Sequence, residues 1–109
     1  MAEAMHLETI ELEWPAPEIA RITLNRPTAG NSLSSQLVAD LVTAVGAVRF
    51  TEECKVVLIT GSGRFFCAGA DLKERNRPAS WIWELRRAFD LIEDLPMPTV
   101  ALINGSCMG

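Results

Sequence analysis

The chain has 109 residues, ten Lys and Arg against fourteen Asp and Glu, a net charge of −4 and 49% hydrophobic residues. That is an ordinary globular mixture of one-domain size. An acidic chain without a basic block excludes a phosphate-neutralising nucleic-acid surface, and no apolar run approaches the roughly 20 residues that cross a bilayer, so neither a nucleic acid nor a membrane is an expected partner.

The segment Met1 to Leu12 alternates charge with single apolar residues. It lacks the apolar core of a signal peptide and the Arg-rich face of a transit peptide. A cytoplasmic location is expected, with a mitochondrial matrix after presequence removal as the alternative. Cys54, Cys67 and Cys107 are odd in number and form no CxxC pair, so neither a disulfide framework nor a Cys-based zinc site is expected. The single histidine, His6, lies near a terminus expected to fray. It excludes His-dependent triads and multi-His metal sites within this chain.

Thr9–Trp14 alternates Ile10, Leu12 and Trp14 with Glu11 and Glu13, the pattern of a half-buried strand. Pro15-Ala16-Pro17 is expected to break it. Ala20, Ile22 and Leu24 share the next strand face, and the two strands read as an antiparallel hairpin. Asn25–Asn31 is a loop by composition. Ser32 or Ser34 caps the helix that follows, where Leu37, Leu41, Ala44, Val45 and Val48 fall at helical spacing to about Phe50.

Lys55–Thr60 is short, apolar and β-branched, and reads as a strand buried on both faces. Gly61–Arg64 is a turn, and Asp71–Arg75 is expected to start a helical turn. A second helix carries Ile82, Leu85, Phe89, Ile92 and Leu95 on its apolar face and ends at Pro96-Met97-Pro98. Thr99–Ile103 reads as a final buried strand and Asn104–Gly109 as a turn. The order β, β, α, β, loop, α, β argues for a sheet with crossovers.

Gly61-Ser62-Gly63 after a strand resembles a nucleotide-binding turn, but the fingerprint requires a third glycine where Phe66 stands. The segment Phe65–Glu74 is more informative. Its small residues allow a ligand close approach to the backbone. A loop turning into a helix also leaves free N–H groups suited to an oxyanion. On the residues alone, a tight packing corner uses the same types and is favoured.

Five blocks change that balance: Leu24-Asn25-Arg26-Pro27, Asn31-Ser32-Leu33-Ser34, Val57-Leu58-Ile59-Thr60-Gly61, Phe66-Cys67-Ala68-Gly69-Ala70-Asp71-Leu72-Lys73 and Pro98–Gly105. In this order and spacing the chain resembles the crotonase (enoyl-CoA hydratase/isomerase) family over about Ile19 to Gly109. The resemblance implies an α/β fold, a spiral of ββα units, of which residues 1–109 are the N-terminal part of one domain with the C-terminal remainder absent. It implies homotrimers or hexamers at full length, an acyl-CoA substrate, and no separate cofactor, since coenzyme A is part of that substrate. It gives the Ala70 N–H one of two places in an oxyanion hole for the thioester. Ala68, Ala70, Asp71, Leu72 and Lys73 would line the coenzyme A path, with Lys73 meeting a phosphate as a mobile point charge. Asp71 is alternatively a helix cap. Arg26 and Asn31 are expected to shape the first loop.

Two departures stand out. Many relatives carry a basic residue where this chain has Gly30. The second oxyanion donor and the catalytic acids fall beyond Gly109, and Asp71, Glu74, Asp90 and Glu93 match none of those acids. The 109-residue chain is therefore expected to be inactive as a hydratase. Isomerase and hydrolase reactions, a non-catalytic coenzyme-A-binding or assembly role, and an unrelated nucleotide-binding domain are the alternatives.

Overall fold

The computed structural model describes residues 2–74 and 76–108. Strand β1, Met5–His6, pairs antiparallel with β2, Ile10–Ala16, which pairs antiparallel with β3, Ile19–Leu24. Residues expected to fray are thus tied into the sheet. The β2–β3 hairpin aligns Leu12 with Ile22 and Ile10 with Leu24, so one face collects buried Ile10, Leu12, Ala20, Ile22 and Leu24. Pro15 does not end the strand as expected. The ladder shifts register between Glu13 and Ala16, and an irregularity is where a strand accommodates proline.

Helix α1, Ser35–Arg49, follows the loop. Ser34 caps it by accepting the Leu37 N–H at 3.1 Å. Its buried Leu37, Val38, Leu41, Ala44, Val45 and Val48 lie over β2 and β3 and form the core with them. Asp40 is a buried exception that sequence reading passed over. It accepts the Thr9 N–H at 2.8 Å and the Thr9 hydroxyl at 2.7 Å, which fixes the start of β2 against the helix.

Strand β4, Val56–Gly61, runs parallel to β3, and β6, Thr99–Ala101, runs parallel to β4, giving the order β1-β2-β3-β4-β6. Two expectations fail here. In β4 only Val57 is fully buried, and all of β6 is exposed. On the sheet itself α1 packs against β2 and β3, so the far edge of the sheet is less covered.

Helix α2, Trp81–Glu93, packs on α1. The expected face holds in part: Leu85 and Ile92 are partly buried against the core, and Leu95, just past the helix, is buried. Trp81 and Ala88 are the buried residues, whereas Ile82, Trp83 and Phe89 are 55%, 71% and 49% exposed. Ala88 is fully buried in the core. Strands β5, Phe65–Cys67, and β7, Ser106–Cys107, form a separate parallel pair; β7 replaces the expected terminal turn. The expected helical turn at Asp71–Arg75 is reduced to a turn in which Glu74 N–H donates to Asp71 O at 3.4 Å, and Arg75 lies outside the described residues. Among the described residues no helix is long and apolar enough to cross a membrane.

Candidate functional site

The site begins with the loop after β3. Pro27–Ala29 makes one 3₁₀ turn, closed by Gly30 at φ 62°. Asn31 follows at φ 56° and is fully buried. Its Oδ1 accepts the Arg26 N–H at 2.8 Å, and its Nδ2 donates to Ser62 O at 3.0 Å and Phe65 O at 2.9 Å. This side chain therefore joins the loop to the end of β4 and the start of β5. Asn104 supports the same corner from the far side. Its Oδ1 accepts the Gly61 N–H at 3.0 Å, and its Nδ2 donates to Gly63 O and Phe65 O, each at 3.1 Å.

The loop then runs beside residues 68–71 as a short parallel ladder. Ala68 N–H donates to Gly30 O at 2.9 Å, Leu33 N–H to Gly69 O at 2.7 Å and Asp71 N–H to Leu33 O at 3.5 Å. Ala70 is the residue paired with Leu33. Successive backbone groups of a strand point to opposite sides. With Gly69 O and Asp71 N–H turned toward Leu33, the Ala70 N–H faces away from it. Ala70 is exposed, and its N–H donates to no atom among the described residues. Gly69 makes the preceding bend at φ 88°, where a Cβ would also lie 3.3 Å from Met108 O.

An open cleft of about 420 Å³ lies on this face. Ala68, Ala70, Asp71, Leu72 and Lys73 line it on one side, with Gly30 and Ser32 opposite. All five sequence-selected site residues thus meet in one place. Leu72 is 90% exposed, Lys73 is exposed, and Lys73 makes no ion pair among the described residues. Gly30 has a structural reason to lack a side chain. Its φ is positive, and a Cβ would sit 3.1 Å from that of Ala68.

Asp71 is held by the protein on both carboxylate oxygens. Oδ2 accepts from Arg26 Nη1 at 3.1 Å, and Oδ1 accepts the Lys73 N–H at 3.0 Å. The same Arg26 nitrogen donates to Ser32 O at 3.0 Å. Arg77 donates to Asp71 O at 3.3 Å while its guanidinium stacks 4.2 Å from the Trp81 ring centre. Sequence reading missed Asn104, Arg77 and Trp81. The Asn-Gly before β7 and the Arg-x-x-x-Trp spacing were the only visible hints.

Burial raises the Asp71 carboxyl, but the Lys73 N–H and then Arg26 more than offset it and hold it below the usual range. A depressed carboxyl contributes stability that is present above the unfolded value, near 3.9, and is lost as pH falls through the folded one. Asp71→Asn is therefore expected to cost about 1–3 kcal/mol near neutral pH, and the deficit should narrow in acid. Urea unfolding of both proteins at neutral pH and at about pH 3 checks this. A deficit equal at both pH values contradicts it.

The enoyl-CoA hydratase/isomerase family model matches residues 16–109. The chain belongs to that family. The Bacillus subtilis protein YngF, named as an enoyl-CoA hydratase/isomerase, is 39% identical to it over 97 residues, 84% of this chain and 37% of YngF. The mitochondrial enoyl-CoA hydratase domain-containing protein 2 of Bos taurus is 32% identical over 99% of the chain and 38% of its own length. A crystal structure of enoyl-CoA hydratase from Bacillus anthracis superposes with a TM-score of 0.83 at 35% identity, covering 90% of this chain and 40% of that one. The fold is thus the N-terminal portion of the α/β crotonase architecture. The chain spans about two-fifths of the length of these family members.

Proposed function

We propose that this chain builds the thioester-binding side of an acyl-CoA site, with enoyl-CoA hydration as the reaction of the whole enzyme. The observation that carries this reading is the Ala70 N–H, turned out of its ladder beside an open cleft. In hydration, water adds across the double bond of a 2-enoyl thioester and negative charge develops on the thioester oxygen. A fixed N–H aimed at that oxygen stabilises the transition state more than the ground state. Ala68 and Leu72 would flank the pantetheine arm, and Lys73 would meet a coenzyme A phosphate. Asp71 serves as a bracket for the donor loop, since Arg26 and the Lys73 N–H occupy its carboxylate. No further cofactor enters the scheme, because coenzyme A is part of the substrate.

Hydration also requires a group that moves a proton to and from water, a contribution of about 10²–10⁴ in rate. Among the described residues lining the cleft, Asp71 is the one carboxylate. One oxyanion donor is worth about 2.7–4 kcal/mol in comparable sites. The proposal is therefore that the 109-residue chain binds an acyl-CoA without turning it over. Isothermal titration with crotonyl-CoA, followed by an assay for loss of the enoyl absorbance, tests this. Expected are saturable binding, weaker in Lys73→Glu, and no hydration. Measurable hydration overturns the inactivity, and absence of binding, or a preference for NAD or ATP, overturns the site.

A second reading is a coenzyme-A-binding or assembly unit without catalysis. The exposed Ile82, Trp83 and Phe89 of α2 favour association, since grouped exposed apolar side chains mark contact surfaces. The same surface is compatible with the trimeric or hexameric assembly proposed for the full-length enzyme.

A further inference from the structure

We propose that Cys67 and Cys107 are a reversible thiol–disulfide pair that closes across β5 and β7 when the chain meets a small-molecule disulfide. The inference does not depend on the proposed function. All three cysteines are free thiols. Cys67 and Cys107 are register partners in the parallel β5–β7 ladder, and the Met108 N–H donates to Cys67 O at 2.9 Å beside them. Neighbouring strands lie about 4.7–4.9 Å apart, within the roughly 4.4–6.8 Å between Cα atoms that a disulfide spans. The third cysteine, Cys54, is buried before β4, with its Sγ 3.4 Å from Val56 O, and has no place in this pair.

The two thiols differ in a way that assigns their roles. Cys107 is exposed and Cys67 is buried. Burial first, and the neighbouring Cys107 as well, push the Cys67 thiol up, while the Gly69 N–H pulls against them. Cys107 is thus the thiol that a solvent-borne disulfide reaches, and Cys67 resolves the mixed disulfide. With oxidised glutathione, Cys107 gives up its proton and its thiolate attacks one glutathione sulfur, releasing a glutathione thiolate. Cys67 then gives up its proton and attacks Cys107 Sγ, and the S–S bond to glutathione breaks with release of the second thiolate. The two protons are taken up by these two thiolates. Two cysteine thiols are oxidised and one glutathione disulfide is reduced to two thiols. The new bond would stand two residues before Gly69 and three before Ala70, so it would couple the redox state to the segment that presents the free N–H.

The test is incubation of the chain in glutathione buffers of graded oxidised-to-reduced ratio, followed by alkylation in denaturant and intact-mass and peptide analysis. Expected is a monomeric species lighter by two hydrogens, alkylated only at Cys54, and returned to three alkylatable thiols by dithiothreitol. Cys107→Ser, at an exposed position, should abolish that species while leaving the fold intact, and Cys67→Ser should stop the reaction at the glutathione adduct of Cys107. Three alkylatable thiols at every ratio, a terminal glutathione adduct in the unsubstituted chain, or disulfide only between two chains through Cys107 would each overturn the proposal.

Discussion

Asn31→Asp is expected to destabilise the chain by about 3–5 kcal/mol, a large share of the 5–15 kcal/mol available to a domain. The substitution preserves shape and changes one donor into an acceptor. Oδ1 can still take the Arg26 N–H. The second oxygen, however, replaces an NH₂ that donates to Ser62 O and Phe65 O at 3.0 and 2.9 Å, with Phe66 O at 3.3 Å. A charged oxygen would then face three carbonyl oxygens at a fully buried position. Phe65 O keeps the Asn104 amide, but Ser62 O and Phe66 O lose the Asn31 donor, about 1–3 kcal/mol per buried group, and the new charge adds its own desolvation. Urea unfolding gives the number. A loss below about 1 kcal/mol would mean that water reaches these carbonyls.

Gly61→Ala is the second large effect, expected to cost about 3 kcal/mol. A Cβ there would lie 2.6 Å from Phe66 O, 2.7 Å from Phe65 O and 2.8 Å from Asn31 Nδ2. Two of these neighbours are backbone, and the third is the amide that holds them. Relief therefore requires β4 and β5 to separate where Asn31 joins them. The same substitution at Gly46, in α1, meets nothing within 4 Å and should raise stability by about 0.5–1 kcal/mol, the helix preference for alanine over glycine. Opposite signs for one chemical change isolate packing from propensity. Parallel urea curves for the two variants measure both. Because Gly61 and the Asn31 amide meet the same carbonyls, Phe65 O and Phe66 O, their combined effect should be less than the sum.

Where local pattern dominates, sequence and structure agree. Alternation places Ile10, Leu12, Ile22 and Leu24 on one sheet face, and a 3.6-residue period with a Ser34 cap delimits α1. The failures come from tertiary context. An apolar run such as Thr99–Ala101 announces a strand but not whether anything covers it. In α2 the expected stripe is buried only at Leu85 and Ile92, while Trp81 and Ala88 are buried in place of Ile82 and Phe89, because how α1 meets the helix is not written in its spacing. Strand β7 has two residues, too few for a period, and is defined by its partner β5.

The site divides in the same way. Small residues between Cys67 and Ala70 were visible as a place where backbone comes close to a ligand, and the five lining residues do share a cleft. The direction of the Ala70 N–H was not visible. It follows from the ladder to Leu33, a residue far away in sequence. The Arg26–Asp71 pair likewise spans 45 positions, so no local pattern announces it.

In the proposed site the Ala70 N–H is a free donor that hydrogen-bonds to a thioester oxygen. Proton–nitrogen correlation spectra of the nitrogen-15-labelled chain, recorded while crotonyl-CoA is added, address it directly. The Ala70 amide proton should move downfield and saturate with the Lys73 amide, while free coenzyme A, which lacks the acyl carbonyl, should move Lys73 and leave Ala70 in place. An Ala70 amide that stays in place at saturating crotonyl-CoA, or responds equally to free coenzyme A, would contradict it.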